Sequence, residues 1–429
     1  MPETKRIETF HISTYGCQMN LADSSSLASA LLTRGYRRVR NEEDADLIIF
    51  NTCSVRENAE ERVFGRLGEV SRFKKQQPHK RIAVVGCMAQ RLGEELLERA
   101  PYVDHVMGPD RMFELPDAIE NREGTSSVMT AFGHENMDVI QPVKENDHSS
   151  FVSISRGCNN FCTYCIVPYV RGEERSHRSN HIVDSVKRLT DEGVVEITLL
   201  GQNVNSYRHE GMDFPGLLRR LLAETTMPRI RFMTSHPKDL SRRLVDVMAE
   251  SPRLMPHIHL PLQSGVNRIL KRMGRVYTIE HYLDTVEYIR ASLEYVSLTT
   301  DLIVGFPSET REEYEATLSA VKRIRFDSAF MFRYSVRPGT VAAKFDDDVP
   351  EEEKIDRLNR LISLQQDISL HSNQREIGRV QNALVEGFSR RSKHKARART
   401  DGNKIVLFDC DEPEVGRVVP IRVVSADAF

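Results

Sequence analysis

The sequence of 429 residues predicts an α/β protein with three regions, in line with roughly 100–200 residues per domain. Strand and helix patterns alternate over residues 1–120, which predicts an N-terminal domain built on a parallel sheet. After a linker at 121–148, further strand–helix units over residues 149–372 predict a full or partial βα barrel. Residues 373–429 show short strands separated by Gly and Asp turns, which predicts a small all-β barrel.

The N-terminal elements follow one another in a regular order. Strand patterns cover residues 7–14, 46–50 and 81–85, and a helical pattern follows each of them. The second helix begins with a capping-box sequence, SVRE at 54–57, and its apolar face carries Ala59, Val63, Leu67 and Val70. Such alternation implies parallel strands joined by right-handed crossovers.

Each of these three strands is followed by a cysteine at a similar offset. The cysteines are Cys17, Cys53 and Cys87. Because parallel strands end at the same sheet edge, where open α/β sheets bind their ligands, we expect the three thiols to lie together. The alternative is that they are unrelated thiols buried in the core.

Composition excludes several classes of protein. Lys plus Arg is 60 and Asp plus Glu is 62, so the net charge of −2 excludes a globally basic nucleic-acid-binding protein. The longest apolar runs are far shorter than the ~20 residues of a membrane span, and the N-terminus does not resemble a signal peptide. We therefore expect a soluble, cytoplasmic protein, in which seven cysteines indicate metal or catalytic thiols rather than disulfides.

The barrel region is predicted from six strand patterns. They lie at 151–155, 194–200, 230–234, 257–260, 297–304 and 326–332. His257 and His259 share one face of a strand, and we expect them to face polar barrel groups rather than to hold a metal ion. Cys410 has no partner in the sequence, and we interpret it as structural.

The strongest chemical signal is a CxxxCxxC motif directly after the first barrel strand. It consists of Cys158, Cys162 and Cys165. Three thiolates in one loop suit three irons of a cubane iron–sulfur cluster and leave the fourth iron open to a non-protein ligand. The alternative is zinc, which needs a fourth ligand at short spacing, and His177 is the near candidate.

These motifs resemble the radical S-adenosylmethionine (SAM) methylthiotransferases. The resemblance rests on GCNNFCTYCIVPYVRG at 157–172, GQN at 201–203, TSHP at 234–237, LPLQSG at 260–265, GFP at 305–307 and RPGT at 337–340. Within that group, YGCQMN at 15–20 and NTCSVRE at 51–57 are similar to the tRNA-2-methylthio-N6-dimethylallyladenosine synthases. The resemblance covers essentially the whole chain and implies a radical-SAM core at 149–372 and a TRAM domain at 373–429.

The resemblance implies two [4Fe–4S] clusters and SAM as cofactors. Cys158, Cys162 and Cys165 would hold the SAM-binding cluster, with Tyr164 near the adenine. Cys17, Cys53 and Cys87 would hold a second cluster that carries the sulfur to be inserted. The candidate SAM contacts are Gly201, Gln202, Asn203, Ser235, Gln263 and Gly305. For the glycine motifs the alternative is an ordinary turn between a strand and a helix.

The implied reaction is methylthiolation of carbon 2 of N6-(dimethylallyl)adenosine at position 37 of tRNA, with SAM as methyl donor and radical source. The implied partners are that tRNA, an electron donor such as flavodoxin or ferredoxin, and a sulfur source; we expect a monomer. One alternative is methylthiolation of threonylcarbamoyladenosine in tRNA or of a ribosomal protein. Another is an RNA-binding iron–sulfur sensor without enzymatic activity.

A basic run in the TRAM region is the candidate RNA contact. Its members are Arg390, Arg391, Lys393, Lys395, Arg397 and Arg399, with no acid between 388 and 400. On a small β-barrel this run would form a phosphate-contacting face; the alternative is a solvated loop. The sequence departs from the family pattern at His177, where an arginine is usual, and at Ala398, where a glycine is common. From the residues at its C-terminus, 425–429, we expect the last TRAM strand to be missing or abbreviated.

Overall fold

A six-stranded parallel sheet forms the N-terminal part of the computed structural model, which describes residues 7–54, 57–120, 126–133 and 142–428. The sheet order is β2-β1-β3-β4-β5-β6. Its strands are β1 (Thr9–Thr14), β2 (Arg37–Arg38), β3 (Leu47–Thr52), β4 (Arg81–Gly86), β5 (His105–Met107) and β6 (Ser127–Met129). The helices are α1 (Gln18–Thr33), α2 (Glu57–Gln76), α3 (Cys87–Leu92), α4 (Glu94–Arg99) and α5 (Leu115–Glu120).

The central strands of this sheet are buried on both faces. Along β3, Ile48 and Phe50 pack into one apolar cluster, whereas Leu47 and Ile49 pack into another. Successive residues of a strand point to opposite faces, so a parallel sheet covered on both sides needs an unbroken apolar run. The run at 47–50 meets that requirement.

The predicted α/β class is confirmed, with three strands of the N-terminal sheet that the sequence pattern did not reveal. One of them, β2, has only two residues. Strands β5 and β6 have three residues each, which is too short to show an alternating pattern. Strand β6 lies within the predicted linker at 121–148 and pairs with β5, so that part of the linker prediction is wrong. The predicted capping box includes residues 55 and 56, which lie outside the described residues.

The chain folds into two compact units. The first contains residues 1–143, 151–159 and 166–185, and the second contains residues 144–150, 160–165 and 186–429. The elements after the N-terminal sheet are β7 (Val143–Asn146), β8 (Ser149–Ser153), β9 (Ser155–Arg156), α6 (Val167–Arg171), β10 (Arg175–Ser176) and α7 (Ser179–Asp191). Within the first unit, β9 and β10 pair in antiparallel fashion.

Strands and helices alternate through most of the second unit. Its strands are β11 (Glu196–Leu200), β12 (Arg208–His209), β13 (Met212–Asp213), β14 (Arg229–Phe232), β15 (His257–His259), β16 (Ser297–Val304) and β17 (Ser328–Arg333). The helices are α8 (Phe214–Glu224), α9 (Arg242–Ala249), α10 (Asn267–Arg272), α11 (Ile279–Ser292), α12 (Arg311–Ile324) and α13 (Glu351–Gln374). The pairs β11–β14, β15–β16 and β16–β17 are all parallel, as the predicted barrel requires.

The C-terminal region is a four-stranded antiparallel sheet in the order β20-β19-β18-β21. Its strands are β18 (Val380–Ser389), β19 (Ser392–Thr400), β20 (Ile405–Asp409) and β21 (Val418–Arg422). The register between β18 and β19 shifts twice near Gly387, and such bulges bend and twist a sheet. Among the described residues, no helix combines the length and apolar character needed to cross a membrane.

Candidate cluster sites and cofactor contacts

The three N-terminal cysteines lie at one edge of the parallel sheet. Cys17 is the N-cap of α1, Cys53 follows the end of β3, and Cys87 is the first residue of α3. The strand ends are aligned, since Thr52 at the end of β3 pairs with Gly86 at the end of β4. Parallel pairing therefore brings the three cysteines to the same edge, where the sequence predicts them.

Two glycines allow the chain to pack closely at this edge. Gly16 has a φ of +148°, and a Cβ atom there would lie 2.7 Å from the Cβ of Cys53. Gly86 has a φ of +94°, and a Cβ atom there would lie 2.6 Å from the carbonyl oxygen of Thr52. A larger residue at either position would push apart the segments that carry the cysteines.

The thiols at this edge differ in their surroundings. A hydrogen bond with Cys53 lowers the pKa of Cys17 to about 5. Cys17 is exposed, whereas Cys53 and Cys87 are buried, and burial raises the pKa of Cys87. Since the thiolate is the form that binds metals, Cys17 is better prepared to do so than Cys87.

A buried arginine accompanies these thiols. Arg171, at the end of α6, is 4 % exposed, and its Nη2 donates to Oδ2 of Asp23 over 2.9 Å. Arg156 donates to the other oxygen of the same carboxylate. Although burial opposes the charge, Cys87, Asp23 and Cys17 raise the pKa of Arg171 well above its ordinary value. The first unit therefore holds a permanent positive charge beside the N-terminal cysteines.

This set of donors fits an iron–sulfur cluster. Three soft thiol ligands share one sheet edge, and the buried Nη1 of Arg171 makes no hydrogen bond to any described residue. Nowhere in the described ranges do three His, Cys, Asp or Glu side chains meet so as to hold a metal ion. The cysteines of a cubane cluster each bind a different iron, so their sulfurs need not converge on one ion.

The cysteines of the CxxxCxxC loop are held by backbone hydrogen bonds. Cys158 belongs to the first unit, where its N–H donates to the carbonyl oxygen of Gly172 over 3.2 Å. Cys162 and Cys165 belong to the second unit, where the N–H of Cys165 donates to the carbonyl oxygen of Cys162 over 3.0 Å. These bonds fix the backbone at each cysteine.

A second buried arginine contacts this loop. Nη1 of Arg275 donates to the Sγ atom of Cys162 over 3.4 Å. Its Nη2 donates to the carbonyl oxygen of Pro261, and its Nε donates to the hydroxyl of Tyr277, each over 3.1 Å. The guanidinium is thus fixed on three sides and orients the Cys162 side chain.

The predicted adenine contact, Tyr164, lies in an apolar cluster of the second unit. Its ring packs edge-on against Phe306, with 6.5 Å between the ring centroids. Burial raises the pKa of the Tyr164 hydroxyl well above its ordinary value, so the side chain stays neutral.

Three predicted SAM contacts carry buried polar atoms without a partner. Oε1 of Gln202, Oγ of Ser235 and Oε1 of Gln263 make no hydrogen bond to any described residue. The three residues follow the carboxyl ends of β11, β14 and β15, respectively. Because buried polar atoms are normally hydrogen-bonded, these atoms indicate a place for the polar groups of a ligand.

The other predicted contacts have partners within the protein. Nδ2 of Asn203 donates to Oδ2 of Asp239 over 2.7 Å. The N–H of Gly305 donates to Oε2 of Glu309 over 2.6 Å, and Gly201 is buried directly after β11. For Gly305 this geometry favours the interpretation as a turn.

The two strand histidines face polar barrel groups, as predicted. Nε2 of His257 and Nδ1 of His259 each lie 3.0 Å from the hydroxyl of Thr299. Burial, with a contribution from Arg231, lowers the pKa of His257 to about 3.

The basic run of the C-terminal sheet is partly neutralised. Arg397 and Arg399 both form ion pairs with Glu386 on the adjacent strand β18. Nζ of Lys395 lies 3.8 Å from Asp409 on β20. The exposed members of the run are Arg390, Arg391, Lys393 and Lys395. The sequence segment itself contains no acid, but antiparallel pairing places Glu386 and Asp409 opposite it.

Models of three known families match the chain. The Uncharacterized protein family UPF0004 matches residues 9–108, the Radical SAM superfamily matches 152–321, and the TRAM domain matches 374–429. These ranges fall within the regions predicted at 1–120, 149–372 and 373–429.

Relatives of known name match over nearly the whole length. The tRNA-2-methylthio-N(6)-dimethylallyladenosine synthase of Moorella thermoacetica is 45 % identical, with 99 % of this chain and 98 % of the relative covered. The enzyme of the same name from Clostridium perfringens is 45 % identical, with 98 % and 96 % covered. This chain belongs to that synthase family. SAM and [4Fe–4S] clusters are characteristic of the family.

This synthase shares its fold with radical SAM enzymes whose structures are solved. The methyltransferase TsrM from Kitasatospora setae superposes with a TM-score of 0.60 at 15 % identity, over 79 % of this chain and 77 % of that chain. The cobalamin-dependent enzyme OxsB superposes with a TM-score of 0.57 at 13 % identity, over 83 % and 57 %. At these identities the likeness concerns the fold alone.

Sequence analysis missed three charged residues beside the cysteines of this synthase. Arg171 lies within the motif at 157–172, and Asp23 lies six residues after Cys17. Arg275 is far from Cys162 in the sequence. Nearness to a cysteine was an available signal for the first two, whereas nothing in the sequence indicated Arg275.

Proposed function

We propose that this protein transfers a methylthio group to carbon 2 of N6-(dimethylallyl)adenosine at position 37 of tRNA. The observation that carries the proposal is the presence of two sets of three cysteines, one following adjacent strands and one in a CxxxCxxC loop. An unactivated aromatic C–H bond resists side-chain acids and bases, so a cofactor has to supply the reactive species. Two relatives that match over nearly their full length are named as synthases of the 2-methylthio product.

In this proposal each set of cysteines holds one [4Fe–4S] cluster. The SAM-binding cluster is held by Cys158, Cys162 and Cys165, and the sulfur-carrying cluster is held by Cys17, Cys53 and Cys87. When bound, SAM and the clusters supply a carbon radical, a methyl group and the inserted sulfur. The remaining task of the chain is to bind and orient these groups.

Residues at the strand ends of the second unit orient SAM. Gln202, Ser235 and Gln263 direct their unpartnered oxygens to its polar groups, a role supported by their burial. Tyr164 packs beside the adenine, which an apolar surrounding favours. Arg275 keeps Cys162 in one orientation through its contact with Sγ. Gly201, Asn203 and Gly305 form the turns that position these side chains.

The tRNA is bound in part by the C-terminal sheet. The exposed cations contact phosphates, namely Arg390, Arg391, Lys393 and Lys395. The paired Arg397 and Arg399 contribute less. The target adenosine lies in a single-stranded loop, so presenting it to a pocket costs less than extracting it from a duplex. We further propose a cytoplasmic monomer that receives electrons from flavodoxin or ferredoxin and sulfur from a separate donor.

The test is a single incubation followed by nucleoside analysis. Reconstituted, reduced protein is incubated anaerobically with SAM and isopentenylated tRNA, and the digested nucleosides are measured by mass spectrometry. We expect the 2-methylthio nucleoside from the wild type and from a Cys410→Ala control, and none from Cys162→Ala. The control matters because Cys410 belongs to neither set of cysteines.

Other outcomes would replace the proposal. Release of 5′-deoxyadenosine without the methylthio nucleoside would support radical chemistry on a different substrate. That substrate would be threonylcarbamoyladenosine in tRNA or a ribosomal protein. Absence of both products would favour the RNA-binding sensor.

A further inference from the structure

We propose that Arg171 is a positioning residue for the group held by Cys17, Cys53 and Cys87, and that its Nη1 donates a hydrogen bond to a sulfur of that group. Asp23 holds the guanidinium in place. This inference rests on the proposed function, because it takes the three cysteines to be cluster ligands.

Packing fixes Arg171 relative to Cys87. Arg171 ends helix α6, and Ile166 and Val170, from the same short segment, form a buried apolar cluster with Cys87. A shift of Arg171 would therefore disturb the packing around the cysteine itself. The Nη2 contact to Asp23 then sets the rotation of the guanidinium within this frame.

One nitrogen of the Arg171 guanidinium, Nη1, is available as a hydrogen-bond donor. This nitrogen is buried and makes no hydrogen bond to any described residue. A buried donor normally has a partner, and an anionic sulfur is an acceptor of the matching charge. A sulfur of the bound cluster would be such an acceptor, next to the Cys87 thiol with which Arg171 already interacts.

The charges around Asp23 support the same assignment. Arg156 and Arg171 donate to different oxygens of this one carboxylate, and all three side chains are buried or nearly so. One arginine is enough to neutralise Asp23. The second positive charge therefore remains available to the thiolates and to the sulfur bound between them.

The test measures the reduction potential of the N-terminal cluster alone. Replacing Cys158, Cys162 and Cys165 by Ala in the full-length protein removes the other cluster, and dithionite then titrates the remaining one under EPR detection. We expect Arg171→Gln to shift the one-electron reduction equilibrium at least tenfold toward the oxidised form, which is about 59 mV. Removing a nearby positive charge disfavours the added electron.

Two further variants separate this role from general stability. Arg171→Lys keeps the charge, and we expect it to restore more than half of the lost potential. Arg175→Gln removes an arginine of the same unit that pairs with Asp110 instead, and we expect no shift in the potential. If Arg171→Gln does not retain iron, the inference is supported when Arg171→Lys still binds the cluster. It is overturned when neither variant binds the cluster.

The remaining outcomes separate this inference from the proposed function. An unchanged potential in Arg171→Gln, with the cluster present, would overturn the inference alone. A triple-alanine protein that binds no iron after reconstitution would overturn the cluster assignment of Cys17, Cys53 and Cys87 as well.

Discussion

Gly86 and Gly35 have similar backbone conformations but different surroundings. Their φ angles are +94° and +87°. A Cβ atom at Gly86 would lie 2.5 Å from Oδ1 of Asn51, whereas a Cβ atom at Gly35 would meet nothing within 4 Å. Comparing the two positions separates steric overlap from backbone strain.

We expect Gly86→Ala to destabilise the protein more than Gly35→Ala. A positive φ costs either alanine about 1–3 kcal/mol, and overlap at position 86 adds about 1–3 kcal/mol. Because Cys87 follows directly, we also expect iron per reconstituted chain to fall from about eight toward about four in Gly86→Ala. Urea unfolding and iron analysis measure both effects, and equal losses of stability in the two variants would contradict the steric argument.

At the scale of elements, the β18–β19 hairpin divides its positive charge between paired and exposed positions. Arg390 and Arg391 lie in the exposed connection, whereas Arg397 and Arg399 face Glu386. Counterion release on RNA binding depends on charges that are available to phosphates. If the C-terminal sheet binds tRNA as proposed, the exposed pair of arginines contributes more to that binding than the pair that faces Glu386.

We expect the double variant Arg390→Gln/Arg391→Gln to weaken tRNA binding more than Arg397→Gln/Arg399→Gln. If both exposed arginines contact phosphates, the slope of log K against log salt becomes shallower by about 1–2. Filter binding over a range of salt concentrations measures this slope. A larger effect of the variant at 397 and 399 would show that Glu386 does not neutralise those arginines.

The sequence predicted the long elements well and the pairing between distant segments poorly. The apolar run at 47–50 marked a central strand, and the cysteines after strand ends marked the candidate cluster edge. Strand β6 has three residues and depends on its pairing with β5, which no local pattern encodes. The same limit hid Glu386, whose place opposite Arg397 and Arg399 comes from the register of a hairpin.

At the scale of the whole chain, a buried ionic network joins parts of the second unit that are far apart in sequence. Oε2 of Glu196 accepts from Nε of Arg229 and from Nε of Arg231, each over 2.9 Å. Arg231 also donates to the carbonyl oxygens of Thr400 and Asp401 over 2.7 and 2.8 Å. Strand β14 of the barrel is thereby tied to the C-terminal sheet.

We expect Glu196→Ala to cost about 3–5 kcal/mol of unfolding free energy, because it leaves two buried guanidinium groups without their shared carboxylate. Glu250 offers a control, since its ion pair with Arg219 is exposed. We expect Glu250→Ala to cost much less than Glu196→Ala, because water screens an exposed ion pair. Chemical unfolding of the full-length variants measures the difference, and similar costs would show that the network contributes little.

This network limits how far the C-terminal sheet can be treated as an interchangeable module. Arg231 donates to the backbone carbonyl oxygens of Thr400 and Asp401. A substituted sheet would therefore have to place the backbone of this turn in the same position, whatever its side chains. Arg229 pairs with the side chain of Asp401, so the graft would also need an acid there. A chimaera that exchanges the C-terminal sheet would therefore have to carry Glu196, Arg229 and Arg231 from the same parent as the sheet.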